Sequence, residues 1–255
     1  MPFQINPAQL LIQMFKHIRF VAQGSFSVMV PQTCALCQSF TKSPGLCSSC
    51  WKGLAAISEP QCAACGRPLP YAMPDSLCAH CYIQPHYARP IRAGFCYNEG
   101  SRKLILPFKH GDRLDIAPVM ARMLLPLFYP LASSADFVVP VPLHHRRYFK
   151  RRYNQSAEMA RQLCIYTGMQ QKFAPNLIIR HKNTRQMGGL SRAQRKQNVA
   201  AAFQITKADT DLLGKQILLI DDVMTTRETI NQCARLLLKN GQAAGVSALI
   251  FARVV

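Results

Sequence analysis

Eight of the 11 cysteines in this chain form four Cys-x-x-Cys pairs, and this spacing is typical of metal ligands. The pairs are Cys34/Cys37, Cys47/Cys50, Cys62/Cys65 and Cys78/Cys81. Two thiolates three positions apart can bind one ion from a single tight turn, and two such turns complete a tetrahedral zinc site. A disulfide framework would need an oxidising compartment, and no export signal is recognisable. We therefore expect two structural zinc ions.

The short loops between the pairs indicate which cysteines share an ion. Closing a loop costs more entropy as the loop lengthens, so neighbouring pairs are expected to combine, with an interleaved arrangement as the alternative. Gly66, directly after Cys65, suits a turn that needs positive φ. The remaining cysteines lie in apolar surroundings and are expected in the core: Cys96, Cys164 and Cys233.

A second concentration of reactive side chains follows an apolar run at 217–220. Its members are Asp221, Asp222, Val223, Met224, Thr225, Thr226, Arg227, Glu228 and Thr229. Ligands bind at the carboxyl ends of parallel strands, and a helix that begins there offers free amides to a phosphate. Adjacent carboxylates suit a ribose diol, or Mg²⁺ with sugar oxygens. Solvent-exposed acids or a nucleotide-triphosphatase strand are the alternatives, and the latter lacks its Gly-rich loop.

Basic residues are concentrated in the middle of the chain. The net charge is +19, from 31 Lys and Arg against 12 Asp and Glu, and residues 137–208 hold 14 of the cations and one acid, Glu158. Cations with interleaved aromatic rings favour single-stranded nucleic acid. Cations that bind only a pyrophosphate, or solvate the surface, are the alternative. The candidates are Arg146, Arg147, Lys150, Arg151, Arg152, Tyr153, Asn154, Gln155, Arg180, Arg185, Arg192 and Arg195.

Four segments are expected to position these groups. Residues 1–33 resemble an apolar, basic leader helix, 34–81 a cysteine-rich zinc module, 82–90 a linker, and 91–255 an α/β domain. From residue 91, short apolar strands alternate with helical patterns, which predicts a mostly parallel sheet flanked by helices. In this reading a helix over 101–106 ends at Pro107.

Composition excludes several classes of protein. With 49% hydrophobic residues the chain can bury a core, so extended disorder is not expected. Charges interrupt the apolar stretch at 10–21, which is too short to span a membrane. We expect a cytoplasmic protein, with attachment of the leader helix to the inner face of the membrane as the alternative.

The 217–229 segment resembles the phosphoribosyl-pyrophosphate (PRPP) loop of type I phosphoribosyltransferases. Three further segments are similar to the ComF/GntX group of competence-associated proteins: Phe108-Lys109-His110-Gly111-Asp112; 139–143 with the basic run to Tyr153-Asn154-Gln155-Ser156; and 180–198. That group also carries an N-terminal cysteine module, so the resemblance covers about residues 30–255.

The resemblance implies a fold, a ligand and a process. It implies a phosphoribosyltransferase-like domain whose Asp221 and Asp222 bind the ribose hydroxyls while the threonine-rich loop binds the 5′-phosphate, with Mg²⁺. It also implies single-stranded DNA binding during DNA uptake, and partners in the uptake machinery such as a competence helicase. An active Mg²⁺-dependent phosphoribosyltransferase of unknown acceptor is the alternative function.

The chain departs from the group's pattern at two positions. Arg227 stands where glycine is usual, and Arg152 where a small residue is usual. Glycine lets the backbone approach a phosphate closely. Arg227 is expected to contact the phosphate as a bidentate donor, with a solvent-directed side chain as the alternative.

Overall fold

The computed structural model describes residues 32–72, 76–84, 86–143, 153–180, 202–206 and 211–255. Nearly all of the expected leader helix lies outside these ranges. So do many of the basic candidates, namely Arg146, Arg147, Lys150, Arg151, Arg152, Arg185, Arg192 and Arg195. The chain divides into two compact units, Met1–Trp51 and Lys52–Val255.

Six helices and six strands make up the described regular structure. In chain order they are α1 (Ser48–Lys52), α2 (Ala79–Ile83), β1 (Ile91–Cys96), α3 (Glu99–His110), α4 (Ile116–Ser134), β2 (Phe137–Pro140), α5 (Gln155–Thr167), β3 (Ile178–Arg180), β4 (Phe203–Ile205), β5 (Gln216–Met224), α6 (Glu228–Lys239) and β6 (Gly245–Arg253). A short 3₁₀ turn, Gln170–Lys172, follows α5.

A four-stranded parallel sheet forms the centre of the larger unit. Its strand order is β1-β6-β5-β2, and β3 and β4 form a separate antiparallel pair. The register aligns Ile91 with Ala248, and Ala248 with Leu219. The mostly parallel sheet flanked by helices, expected from the sequence, is confirmed.

Helices cover both faces of this sheet. On one face, Ile230, Cys233 and Leu237 of α6 join the apolar core formed by alternate strand residues. On β1, a Cβ added at Gly94 would lie 2.6 Å from the Leu124 side chain, so α4 approaches this strand closely. Such burial is the main stabilising contribution to a domain of this kind.

The end of α3 differs from the sequence prediction. The helix does not stop at Pro107 but continues to His110. Proline removes one helical hydrogen bond, which favours termination. Tertiary contacts outweigh that loss here, because Phe108 is fully buried and Lys109 forms an ion pair with the sheet. The prediction was therefore wrong at a point that matters for the site.

Among the described residues, one helix is long and apolar enough to cross a membrane, and that is α4. Its buried residues pack against β1, β5, β6 and α5, and its Arg122 lies 5.1 Å from the centre of the Tyr166 ring. A core helix of a globular domain has the same length and composition. We interpret α4 as such a helix.

Candidate functional site

The first cysteine group consists of Cys34, Cys37, Cys47 and Cys50, and lies in the smaller unit. Their Sγ atoms all lie within 4.8 Å of one another, and those of Cys37 and Cys47 are 3.6 Å apart. The backbone amide of Cys47 donates to Sγ of Cys34 over 3.3 Å. Hydrogen bonds from the Ser39 side chain and amide lower the pKa of Cys37 to about 6, which favours the thiolate that a metal requires.

The second cysteine group consists of Cys62, Cys65, Cys78 and Cys81, and all four are buried. The Sγ atoms of Cys65 and Cys78 are 3.8 Å apart, and the amide of Cys78 donates to Sγ of Cys62. This group belongs to the same compact unit as the parallel sheet. The amide of Ile91, at the start of β1, donates to the carbonyl of Ala64 over 2.8 Å.

Equivalent turns follow the first Cys-x-x-Cys pair of each group. Gly66 has φ +64° and Gln38, at the matching position, has φ +61°. A Cβ added at Gly66 would lie 2.7 Å from the carbonyl oxygen of Ile91. Gly66 therefore suits both the left-handed backbone and the close approach to Ile91. Gln38 adopts the same left-handed backbone, but a non-glycine residue does so at a cost in free energy.

Both groups fit zinc. A Zn–S distance of about 2.3 Å in a tetrahedron places sulfurs roughly 3.8 Å apart, close to the separations observed in both groups. Four thiolates with amide-to-sulfur hydrogen bonds are the ligand set of a closed structural site. The pairing of neighbouring Cys-x-x-Cys motifs is confirmed, and the interleaved alternative is excluded. Of the other cysteines, Cys164 and Cys233 are buried in the core, as expected. Cys96, at the end of β1, is partly exposed, so the expectation of a core position was wrong for that residue.

The two adjacent carboxylates lie near the carboxyl end of β5, between β6 and β2. Asp222 is buried, and its Oδ1 lies 2.9 Å from Nζ of Lys109 on α3. This ion pair brings the Phe108-Lys109 motif to the strand end. Lys109 offsets a buried charge that would otherwise be costly.

Asp221 has a different partner. Its Oδ1 accepts hydrogen bonds from Oγ of Ser156 over 3.0 Å and from the amide of Asp222 over 2.9 Å. Burial raises the pKa of Asp221 to about 7, and the Asp222 carboxylate adds to the rise. The strand end therefore carries one carboxylate paired with a lysine and one carboxyl group that titrates near neutrality.

The Tyr153-Asn154-Gln155 motif contacts the chain itself. The Tyr153 hydroxyl and the Gln155 amide both donate to the carbonyl of Phe108. Asn154 caps α5 by accepting from the amides of residues 156 and 157, and donates to the carbonyl of Val141. Together these bonds hold α3, β2 and the start of α5 around the Asp pair. Arg180, another basic candidate, lies at the end of β3, 5.3 Å from the centre of the Phe203 ring.

The rest of the 221–229 segment comprises the end of β5, the connection at 225–227 and the start of α6. Val223 and Thr229 are partly buried and Met224 is buried, whereas Thr225, Thr226 and Glu228 are exposed. Glu228 begins α6 and accepts from Nε2 of Gln232 over 2.7 Å. Arg227 precedes the helix and donates from Nη1 to Sγ of Cys81 over 3.3 Å. Its side chain thus contacts the second cysteine group, a partner that neither sequence interpretation included.

The site residues predicted from the sequence do not include Lys109 or Ser156, although the motifs that contain these two residues are identified. Lys109 and Ser156 are the direct partners of Asp222 and Asp221. The signal was their place in the two motifs that resemble the ComF/GntX group. Nothing in the spacing of those motifs indicated which carboxylate each residue contacts.

Comparisons with known proteins agree with this arrangement. The profile of the family described as "Double zinc ribbon domain" matches residues 26–82. The chain is 31% identical to "Competence protein F" of Haemophilus influenzae over 77% of this chain and 86% of that protein. It is 30% identical to "DNA utilization protein YhgH" of Salmonella typhimurium, over 84% and 94%. "Competence protein ComFC" of Bacillus subtilis is 26% identical, over 82% and 84%.

A Trypanosoma cruzi hypoxanthine phosphoribosyl transferase aligns with 12% identity and a TM-score of 0.34, over 56% of this chain and 65% of that one. A Staphylococcus aureus hypoxanthine phosphoribosyltransferase aligns with 15% identity and a TM-score of 0.31, over 56% and 63%. Scores of this size carry no argument about function.

Proposed function

The chain belongs to the family of Competence protein F, and from this premise we propose that it binds single-stranded DNA and a phosphoribosyl ligand, PRPP or a close relative, in DNA uptake. The relatives' names support a competence-associated role in the use of DNA. The two ligands are proposals about this chain's own residues, and each has its own support.

The observation that carries the phosphoribosyl ligand is the Asp221–Asp222 pair at the carboxyl end of β5, followed by exposed threonines and the start of α6. The free amides and positive dipole end of a helix favour a phosphate at that point. Carboxylates three and four positions before Thr225 suit the hydroxyls of the attached ribose. One phosphorylated sugar would therefore satisfy both halves of the segment.

The partners of the two acids support different roles. The ion pair with Lys109 fixes the Asp222 carboxylate in position, which suits a lasting hydrogen bond to a ribose hydroxyl. Asp221 can exchange a proton near neutral pH. Carboxylate and pyrophosphate oxygens are the ligands that Mg²⁺ prefers, so the donor set fits that ion, which would neutralise charge on the ligand.

A calorimetric titration of PRPP with Mg²⁺ tests this part of the proposal. Asp221→Asn should weaken PRPP binding by roughly tenfold or more, because a charge-assisted hydrogen bond is lost. Asp136→Asn is the matched control, since that exposed carboxylate pairs with Lys215 at the amino ends of β2 and β5, away from the carboxyl ends that carry the acid pair. Absence of PRPP binding by the wild-type protein would refute the proposed ligand.

The net charge of +19, with 14 Lys and Arg in residues 137–208, supports single-stranded DNA binding. Affinity for a labelled oligothymidylate, measured by fluorescence anisotropy, should fall linearly on a log–log plot against salt, with a slope of about −0.7 per contacted phosphate. Reversing Arg146 and Arg147 to Glu should weaken binding of every sequence alike. The control reverses Arg102 and Lys103, which lie on α3. A flat salt response would contradict the proposal.

A second candidate function is an Mg²⁺-dependent phosphoribosyltransferase of unidentified acceptor. The observation that favours it is Asp221, a carboxyl group with a pKa of about 7 at a strand end where ligands bind. Such a group can accept a proton from a nucleophile at neutral pH. Release of pyrophosphate from PRPP in the presence of candidate acceptors, measured with wild type and Asp221→Asn, tests this alternative.

A further inference from the structure

A cleft of about 1020 Å³ lies between the second cysteine group and the polar face of α6. The α6 side is formed by residues 228, 231, 232 and 235, which recur at helical spacing. Arg67, His80, His86 and Tyr87 also line the cleft, together with Arg253 and Val254 at the end of β6. Asp221 and Asp222 do not line this cleft, so it is separate from the acid pair, although both adjoin Thr225 and Thr226.

The charge lining the cleft is positive. Four arginines face it, Arg67, Arg227, Arg235 and Arg253, against one carboxylate, Glu228. A zinc ion with four thiolates carries a charge of −2, and two of these arginines serve that group: Arg227 donates to Sγ of Cys81, and Arg253 donates to the carbonyl of Cys65. Arg67 and Arg235 are exposed, and their charge is additional to the two arginines that contact the second cysteine group.

Buried polar atoms around the cleft have unused hydrogen-bonding capacity. Within the described residues, Nε2 of His86, Oδ1 of Asn231, Oε1 of Gln232 and Nε of Arg253 are buried without a hydrogen-bond partner. Arg253 is only 5% exposed. Leaving such groups unsatisfied costs free energy, and a rotation of the Asn231 or Gln232 side chain would turn its oxygen toward a ligand in the cleft that carries hydrogen-bond donors.

We propose that this cleft binds a nucleotide, with its phosphate between Arg67 and Arg235 and the polar edge of its base toward Asn231 and Gln232. The ring of Tyr87, 43% exposed at the rim, offers a surface on which the base can stack. A volume of this size accommodates a ligand of nucleotide dimensions. The nucleotide is either free or the 5′-terminal residue of a single strand, since both present the same phosphate and base.

The inference deepens the proposed function, on which its DNA arm rests, by naming a second site beside the phosphoribosyl site. The two sites share the loop that follows β5, because Thr225 and Thr226 also line the cleft. A single strand that ends in the cleft would bring its 5′-phosphate close to the proposed PRPP site. The cleft and the acid pair can be tested with different variants, because they share neither Arg235 nor Asp222.

The experiment uses three probes on the full-length protein: thymidine 5′-monophosphate, oligothymidylate of eight residues with a 5′-phosphate, and the same strand without it. Arg235→Ala should weaken the phosphorylated probes about tenfold. Lys239→Ala, an exposed cation one turn further along α6 that does not line the cleft, should change them less than twofold. Asn231→Ala should reduce affinity for the base, and so should weaken the monophosphate as well.

The three probes distinguish a free nucleotide from the 5′ end of a single strand. Equal binding of the monophosphate and the phosphorylated strand assigns a free nucleotide, whereas binding of the phosphorylated strand alone assigns a strand end. Equal affinities for Arg235→Ala and Lys239→Ala overturn the proposal. If wild type binds neither PRPP nor any strand but still binds the monophosphate through Arg235, the proposed function fails and the cleft site stands.

Discussion

Arg227 and Cys81 are 146 positions apart in the chain, and the arginine Nη1 donates to the cysteine Sγ over 3.3 Å. This bond joins the segment that connects β5 to α6 with the second cysteine group. Hydrogen bonds to a thiolate stabilise its charge, and a site of four thiolates around one Zn²⁺ retains a net negative charge. The proposed phosphate loop and the metal group are therefore coupled through one side chain.

Removing the Arg227 side chain should loosen the second zinc. We expect Arg227→Ala to release one zinc per chain to a colorimetric chelator about 10-fold faster than wild type, since outer contacts of metal ligands typically matter at that scale. Arg235→Ala, about two turns into α6, is the control. Unchanged release from Arg227→Ala would show that the bond contributes nothing to metal retention.

The two cysteine groups should hold one zinc each. Elemental analysis should find two zinc ions per chain in wild type, and one in Cys34→Ser or Cys62→Ser. Cys34→Ser should leave the Lys52–Val255 unit folded, because the first group lies in the other unit. Cys62→Ser should also destabilise the sheet, whose β1 is hydrogen-bonded to Ala64. A single zinc in wild type would contradict the two-site arrangement.

The matching turns at Gln38 and Gly66 make a paired test. Gly66→Ala should destabilise the larger unit by about 2 kcal/mol or more, because it adds both left-handed strain and a clash with the Ile91 carbonyl. Gln38→Gly should leave the smaller unit as stable or slightly more so. Zinc retention against increasing chelator concentration measures both. A loss of stability in Gln38→Gly would mean that its side chain has a role beyond the turn.

Asp221 should make stability depend on pH. Its pKa is raised to about 7 in the folded state, so the folded protein holds that proton longer than the unfolded chain. The free energy of unfolding should therefore fall as pH rises from about 4 to 7. Asp221→Asn has no carboxyl group to titrate at this position, so this fall should be absent and the variant should be more stable than wild type at pH 8.

Asp136 is a control for the pH dependence of stability, because its pKa is shifted in the opposite direction to that of Asp221. A hydrogen bond from the Gln216 amide, aided by Lys215, lowers the pKa of Asp136. Its contribution is present above the unfolded pKa and is lost as pH falls through the folded one. Asp136→Asn should therefore be less stable than wild type at pH 8. Parallel pH profiles for wild type and Asp221→Asn would contradict the assignment.

Lys109 should be needed for the stability of the fold as well as for the position of Asp222. Lys109→Met leaves the Asp222 charge buried without its partner and should destabilise the protein by about 3 kcal/mol. The double variant Lys109→Met/Asp222→Asn should recover part of that loss in denaturant unfolding. Lys103→Met, which breaks an exposed pair with Glu99, should cost less than about 0.5 kcal/mol. Equal losses for Lys103 and Lys109 would refute the argument.

Local patterns predicted much of this molecule. Cysteine spacing predicted both metal groups, and the apolar run before Asp221 predicted a buried strand with acids near its end. Proline led to the wrong end for α3, because the burial of Phe108 and the pairing of Lys109 are tertiary effects. The contact from Arg227 to Cys81 joins distant segments, and no local spacing encodes it.

The position of β6 in the sheet has a consequence for biosynthesis. This strand, at residues 245–253, lies between β1 and β5, so β1 cannot join the parallel sheet until β6 has been made. During translation the 91–96 segment must wait for about 150 further residues, although the cysteine group just before it can already bind zinc. Such distant pairing slows folding. An early zinc-bound turn would keep the waiting segment anchored through Ala64 while the rest of the chain emerges.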